Sequence, residues 1–434
     1  MSMLGFAFLL PFLAWLEAAG AAVLALGFNL FVLPKLGADL RKRPEGLAAD
    51  QAGAEDIWTG IILYPASVLL LILIYRQSMH VVAAVWAILA LGDGAAGVAG
   101  AALGRPALPW NRRKTWAGSF AFVLAGTMGA YVLGRWVNPA LPAGKTVLVC
   151  ALTALVGAAI ESLPISLDDN LSVPLVCGGF MFCAWLVEPS VWDANLPLLG
   201  RRALVGAFVS LTFALVALSL KTASPSGAAL GSVLGWLVYL GRGWKSFLML
   251  FTFFVLGSVA TRLGYARKAA RGLAERRGGA RTWREALANV SPGAFFSILA
   301  ISTRQESACL AALVASFAEA ACDTVSSEIG EWLGRRTYLL TTFRPVPAGE
   351  DGGVSLEGSA AGLTAAALMV ALAVALHLTS PGDAAVALAA ALVGSLFDTL
   401  LGATLERRGL VTNGVVNFAG TGLAGALALA FTLR

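Results

Sequence analysis

Five carboxylates stand inside long apolar runs: Asp93, Glu161, Asp323, Glu328 and Asp398. An acid placed in hydrocarbon is costly, so each marks a functional position in a chain that crosses a membrane. Each has Lys or Arg in a neighbouring loop, Arg105, Arg112, Arg113 and Lys114 in the first half and Arg335, Arg336 and Arg344 in the second. Acids beside Lys and Arg fit Mg²⁺ carried by a polyphosphate: the ion takes a few carboxylates plus phosphate oxygens, and the bases neutralise the remaining charge. Gly118-Ser119 and Gly358-Ser359 open apolar helices and would offer backbone N–H groups to phosphate. Asp168, Asp169 and Asn170 form a polar cluster ahead of another apolar run. Asp169 or Asn170 could simply cap that helix, but two adjacent acids exceed what a cap needs.

The spacing of these residues recurs. Asp93, Gly100, Leu103, Gly104 and Arg105 share all their offsets with Asp323, Gly330, Leu333, Gly334 and Arg335. A Gly-Ser pair follows in each half, then Val156-Gly157 with Glu161 against Val393-Gly394 with Asp398. Asn170, Val173 and Pro174 correspond more loosely to Asn413, Val416 and Asn417, after a loop six residues longer. Two parallel repeats, roughly 1–200 and 221–434, are implied, each with its own site. The competing explanation is chance, because glycine occurs 48 times and short matches among small residues arise easily.

Membrane-spanning helices must position these groups. The chain has 434 residues, 58% hydrophobic and 13% charged, far from soluble composition, in which about a quarter of residues are charged. Its apolar stretches are continuous rather than alternating, which excludes a β-barrel. Windows long enough for a span number about fourteen, from 6–33 to 413–432, with 293–303 the shortest. Placing 35–55, 105–114, 164–170, 221–224, 262–292, 334–356 and 405–412 on one side collects most of the 31 Lys and Arg there. By the positive-inside rule that side is cytoplasmic, in a bacterial inner membrane, and both termini face out. The expected class is an all-α polytopic membrane protein, divided at 220/221.

Other features are set aside on physical grounds. Cys150, Cys177, Cys183, Cys309 and Cys322 lie in apolar runs without C-x-x-C spacing, which argues against a disulfide framework or zinc. His80 and His377 are too few and too far apart for a His-based centre. The run from Phe6 to Pro34 is too long for a signal peptide and is read as a span. Gly92-x-Gly94-x-x-Gly97 matches a dinucleotide fingerprint but lies inside a helix rather than after a strand. Gly144-Lys145-Thr146 resembles the tail of a phosphate-binding loop whose earlier glycine is replaced by Pro139. The basic run 262–284 reads as a lipid-facing juxtamembrane loop, not a nucleic-acid site. Glu17 and Asn29 in the first span are either a packing pair or contacts to an alcohol substrate.

Gly92-Asp93-Gly94 through Gly104, Arg113-Lys114-Thr115-Trp116-Ala117-Gly118-Ser119, Glu161-Ser162-Leu163-Pro164 and Asp168-Asp169-Asn170 to Pro174 resemble the membrane CTP-dependent polyprenol kinases, the phytol and dolichol kinase group. Gly257-Ser258, Thr261-Arg262, Gly278-Gly279-Ala280-Arg281-Thr282, Ala288-Asn289, Asp323-Thr324, Ser327-Glu328-Ile329-Gly330, Thr341-Thr342, Gly352-Gly353-Val354-Ser355 and Asp398-Thr399 with Leu401-Gly402-Ala403 are similar to the integral membrane family that contains the plant phytyl-phosphate kinase. The resemblance implies a fusion in which 1–220 phosphorylates an isoprenoid alcohol and 221–434 converts the monophosphate to the diphosphate. Such families use CTP or another nucleoside triphosphate with Mg²⁺. The chain departs from the pattern in having Arg112-Arg113 ahead of Lys114 and in the extension before Asn413.

On this reading Asp93 acts as base or Mg²⁺ ligand, Glu161, Asp168 and Asp169 hold Mg²⁺, and Lys114 neutralises phosphate. Asp323, Glu328 and Asp398 take the corresponding roles, Asp398 as metal ligand, with Arg335 or Arg344 on phosphate. Arg105, Arg113, Gly118, Ser119 and Asn170, with Gly358, Ser359, Asn413 and Asn417, complete the nucleotide contacts. The lipid is of the phytol, farnesol or geranylgeraniol class. A lipid-phosphate cytidylyltransferase and a secondary transporter are the rival readings.

Overall fold

Hydrocarbon offers backbone N–H and C=O groups no partners, so apolar stretches of this length are driven into helix. The computed structural model describes residues 2–33, 54–164 and 167–433 and is helical apart from one small sheet. Among the described residues, eleven helices are long and apolar enough to cross a membrane. The protein is thus an all-α polytopic membrane protein. All fourteen expected windows fall on helices, but three are too short or too polar to count as spans. Two compact units divide the chain, Met1–Trp185 and Leu186–Arg434. The division lies ahead of the expected 220/221.

In unit 1, a 3₁₀ helix over Ser2–Phe12 precedes α1 (Trp15–Gly27), so the expected run 6–33 is broken before Trp15. Glu17 explains the restart: its Oε2 accepts the Ala14 N–H at 2.8 Å, satisfying one of the orphan donors of α1. Asn29 donates to the Ile61 carbonyl at 2.8 Å, so the two polar residues of this span are separate fasteners rather than a pair. The expected basic loop 35–55 lies almost wholly outside the described residues. Then follow α2 (Ala54–Ile74), α3 (Met79–Ala87), α4 (Asp93–Leu103), α5 (Trp116–Val137), α6 (Ala143–Ser162) and α7 (Asp169–Leu186). A π-helical turn, Ile88–Gly92, joins α3 to α4 immediately before Asp93; such turns shift the helical register and are frequent at functional sites. The continuous segment Met79–Leu103, in which residues 81–90 are all buried, forms the centre of unit 1.

Unit 2 opens with α8 (Pro189–Ser219), which packs on α9 (Pro225–Arg242); that packing is why the contact boundary precedes α8. Next come α10 (Trp244–Arg262), α11 (Tyr265–Ala270), α12 (Trp283–Ala300) and α13 (Glu306–Leu333). The stretch 262–292 is therefore not one lipid-facing loop. It contains α11 and the first turns of α12, and Lys268 within it is fully buried. Arg284, Glu285 and Asn289 keep α12 too polar to be read as a span from sequence. Helix α13, in which residues 308–322 are all buried, is the hub of the unit, packed on α10, α12, α14 (Leu356–Ala375), α15 (Pro381–Leu401) and α16 (Asn413–Thr432). Between α13 and α14 the expected loop 334–356 folds as a three-stranded antiparallel sheet of β1 (Thr337–Leu339), β2 (Pro345–Val346) and β3 (Gly353–Ser355), in the order β2-β1-β3.

Small residues set the tightest helix contacts, as expected where lipid provides no hydrophobic drive between helices. A Cβ at Gly118 would stand 3.1 Å from the Ala96 carbonyl, and one at Gly358 would stand 2.5 Å from the Ser326 carbonyl. Each of those carbonyls lies three residues after an acid, Asp93 or Asp323. Each glycine N–H is also taken by the N-cap of its helix, Thr115 Oγ1 at 3.0 Å and Ser355 Oγ at 3.1 Å.

Candidate functional sites

In unit 1, the loop ahead of α5 is fastened to the end of α6. Trp110 Nε1 donates to Ser162 Oγ at 3.2 Å and Asn111 Nδ2 to the Ser162 carbonyl at 3.2 Å. An Ala107–Thr115 bridge closes the loop. This brings Lys114 between two helix termini, where its Nζ donates to Glu161 Oε1 at 2.7 Å and to Asp169 Oδ2 at 3.1 Å. Glu161 is 5% exposed at the C-terminus of α6, an unfavourable end of the helix dipole for an acid, and Lys114 offsets it. Burial alone would lower the Lys114 pKa, but the Glu161 hydrogen bond and the charges of Glu161 and Asp169 outweigh it and hold the ammonium above the ordinary lysine range.

Asp93, exposed at the start of α4, lies within the field of Lys114, Asp169 and Asp168. Asp168 proves to be the cap: its Oδ1 accepts the Asn170 N–H at 2.8 Å and Asn170 Nδ2 at 2.9 Å. Asn170 is thus engaged at the start of α7 by Asp168. Four expected residues, Asp93, Lys114, Glu161 and Asp169, converge with Asp168 beside them. Arg105, Arg112 and Arg113 remain exposed, without ion pairs among the described residues. The Gly118 N–H, expected to face phosphate, is occupied by its cap, and Ser119 is half-buried one residue on.

In unit 2, Asp323 on α13 and Asp398 on α15 come within hydrogen-bonding reach of each other. One turn before Asp323, Glu319 is 1% exposed, and neither of its carboxyl oxygens nor Asp398 Oδ2 has a hydrogen-bond partner among the described residues. Gly420 on α16 makes the room: a Cβ there would lie 2.7 Å from Glu319 Oε1 and 3.2 Å from Asp398 Oδ2. The cation that acts on Asp323 is Arg281, not Arg335 or Arg344, which are exposed with Arg336 around the small sheet. Arg281 also donates to Thr261 Oγ1 and Glu285 Oε1, both at 3.0 Å.

Glu328 does not join this group. Its two oxygens are used by Thr261 Oγ1 and by the Lys268 ammonium, a buried ion pair that fastens α10 and α11 to α13. The Gly358 N–H is capped as Gly118 is, and Ser359 is exposed. Asn413 is exposed at the start of α16, while Asn417 Nδ2 donates to Asn289 Oδ1 at 3.3 Å. No group of three His, Cys, Asp or Glu side chains among the described residues is arranged to hold a metal ion unaided.

Glu319 and Lys268 are not marked out by the sequence, and Arg281 is marked only as part of the motif Gly278–Thr282, without a role. Glu319 carries the same signal as Asp323, an acid in an apolar run, but has no counterpart in the first half, where Leu89 stands four residues before Asp93. Arg281 and Lys268 sit in a basic run whose members look alike until the fold separates them. Of the features set aside, Lys145 donates to the Trp185 carbonyl at 2.8 Å, a fastening role, and all five cysteines are buried.

An uncharacterized membrane protein of Synechocystis sp. is 36% identical over 217 residues, covering 48% of this chain and 82% of its own length. Protein VTE6, chloroplastic, of Arabidopsis thaliana is 36% identical over 213 residues, 48% of this chain and 64% of its own. Probable phytol kinase 3, chloroplastic, of Glycine max is 31% identical over 169 residues, 36% of this chain and 50% of its own. No solved structure matches the chain. Residues 208–427, half of the sequence, match the family described as integral membrane protein DUF92, and the chain belongs to that family.

Proposed function

We propose that the protein is a bifunctional membrane kinase that phosphorylates an isoprenoid alcohol to the monophosphate in unit 1 and the monophosphate to the diphosphate in unit 2, with CTP or another nucleoside triphosphate as donor. The observation that carries this reading is the convergence, in each unit, of carboxylates from separate helices beside a cation: Asp93, Glu161 and Asp169 with Lys114, and Asp323 and Asp398 with Arg281. The relatives named phytol kinases support the substrate class. The two halves then correspond to two fused enzymes with cytoplasmic sites and both termini outside.

Asp323 and Asp398, with one oxygen unpartnered, suit a divalent cation that takes its other ligands from phosphate and water. Bound Mg²⁺ would neutralise the transferring phosphoryl group. In unit 1 the Lys114 ammonium bridges Glu161 and Asp169, so those carboxylates would hold the metal only with Lys114 turned to phosphate. Asp93 takes the proton of the substrate hydroxyl as its oxygen bonds the terminal phosphorus, and the nucleoside diphosphate leaves. Arg105 and Arg113 balance the polyphosphate charge from the loop. In unit 2 a phosphate oxygen is the attacking atom, and Arg281 holds that phosphate.

The test is to incubate detergent-purified protein and Mg²⁺ with labelled farnesol, geranylgeraniol or phytol and each nucleoside triphosphate, and to separate the lipids by chromatography. Monophosphate followed by diphosphate is expected. Folded protein that forms no phosphorylated lipid with any donor overturns the reading. Release of pyrophosphate instead of a nucleoside diphosphate would make it a cytidylyltransferase. One observation favours a transporter, the unpartnered acid Glu319 deep in a span; substrate flux into vesicles without nucleotide consumption would establish that alternative.

A further inference from the structure

The small sheet of unit 2 carries three arginines that the chemistry above leaves unused. Arg335, Arg336 and Arg344 are exposed and form no ion pair among the described residues, while the acid pair takes its cation from Arg281. Residues 332–349 hold these three cations and no carboxylate. The segment joins the ends of two membrane-spanning helices, α13 and α14, so it lies at a membrane surface.

Backbone geometry singles out one apolar residue in it. The turn between β1 and β2 closes with the Phe343 N–H donating to the Leu339 carbonyl at 2.8 Å and the Leu339 N–H to the Arg344 carbonyl at 2.9 Å. Phe343 adopts φ +52° there, a left-handed conformation that glycine enters freely and a bulky side chain only at a cost. Packing does not offset that cost, because Phe343 is 74% exposed. Strain held without a gain inside the chain points to a role outside it.

The sheet places this turn near lipid. The Leu340 N–H donates to the Gly352 carbonyl at 3.2 Å, and Gly352 lies so close to Ala403, just past α15, that no Cβ would fit. Helix α15 exposes Leu392, Leu396 and Leu400, one stripe running toward this end. At the other end of the sheet Thr337 pairs with Ser355, which sets Arg336 beside Leu356, 83% exposed at the start of α14. An arginine and an exposed apolar side chain therefore stand together at both ends. That pairing suits a bilayer interface, where apolar side chains sink to headgroup level and basic ones meet anionic phosphate.

We propose that the β1–β2 hairpin docks on the bilayer around the protein, with Phe343 inserted among the headgroups and Arg335, Arg336 and Arg344 holding anionic phospholipids. The docking does not rest on the kinase reading, and its test needs neither nucleotide nor isoprenoid. The full chain is placed in nanodiscs of phosphatidylcholine, alone or mixed with phosphatidylglycerol, with a nitroxide on Thr341→Cys. All five native cysteines are buried, so the label goes to the turn. Collisions with dioxygen, which concentrates in lipid, and with a nickel chelate, which stays in water, read its depth.

In the mixed bilayer the label should meet dioxygen and be shielded from the chelate. Arg336→Gln and Arg344→Gln should each lower the docked-to-free ratio about 5-fold, the worth of one basic residue at an anionic surface, and high salt should lower it as well. Phe343→Gly should release the turn into water while the protein melts no lower than wild type, since glycine accepts this backbone conformation. A label open to the chelate in the mixed bilayer, docked equally with and without phosphatidylglycerol, or closed to both reagents as under a second protein, overturns the proposal. So does a fall in the melting temperature of Phe343→Gly, which would make the ring a packing residue.

Discussion

In unit 1, Lys114 stands between Glu161 and Asp169, four residues before the glycine that packs on the acid-bearing helix. The residue at that offset in unit 2 is Val354, and Leu89, four residues before Asp93, becomes Glu319 before Asp323. The helix contacts around these positions are alike, glycine against the carbonyl three residues after the acid, with a hydroxyl cap beside it. The charge is not alike. Unit 1 carries its own counter-cation among its acids, whereas unit 2 brings two carboxyls together, leaves a third unpartnered, and relies on Arg281 from the end of another segment. One scaffold thus supports two electrostatic settings: a cation binding in unit 1 must compete with an ammonium, and one binding in unit 2 need not.

The largest effect that would break this comparison is functional. Asp93→Asn is expected to cut alcohol phosphorylation by about 10²–10⁴-fold, the range of a lost acid–base group, while sparing monophosphate phosphorylation, and Asp323→Asn should do the opposite. Chromatography of labelled lipids reads both; loss of both steps in either mutant would show a single shared centre.

Next comes the buried pair of unit 2. Lys268→Met strands Glu328 in the interior and should cost about 3–5 kcal/mol, with much of it recovered in Lys268→Met/Glu328→Gln. Thermal unfolding in detergent measures it, and an unstable double mutant would mean the packing, not the charge, matters.

Lys114→Met should cost less, because the Lys114 side chain is 31% exposed and solvent screens its bridges. It has a pH signature. Since the folded pKa of Lys114 is raised, its stabilisation is fully present below the ordinary lysine value of about 10.4 and disappears as pH rises through the higher folded value. The gap in melting temperature between wild type and Lys114→Met should stay constant across neutral and mildly alkaline pH and close only above that range. A gap that closes near neutrality would remove Lys114 as the counter-cation. The smallest effects sharpen the likeness of the two units: Thr115→Ala and Ser355→Ala should each cost about 1 kcal/mol as lost N-caps, and a clear inequality between them would show that the two caps carry different loads.

Repeated offsets made Asp93, Asp323, Glu161 and Asp398 legible, because spacing along a helix survives without knowledge of its neighbours. Lys114 was legible as a cation but not as a bridge, since its partners Glu161 and Asp169 are brought to it by Trp110 and Asn111, contacts that no periodicity encodes. Glu328 looked equivalent to the other acids, and only the fold of 262–282 turns it toward Lys268. The helical class followed directly from continuous apolar runs. The span count did not, because α12 mixes Arg284, Glu285 and Asn289 into a helix that the hub α13 helps to bury.

Glu319 carries a consequence for selection. An acid without a partner in an apolar interior lowers stability by about 1–3 kcal/mol, and the first half shows a cheaper solution at the same offset, the buried Leu89. A chain shaped only by the need to fold would drift toward leucine at 319, since most sequences sit just above the stability they require and single gains of this size are easy to find. Folding therefore does not account for the glutamate there, and a library grown at rising temperature without demand for activity should shed it early.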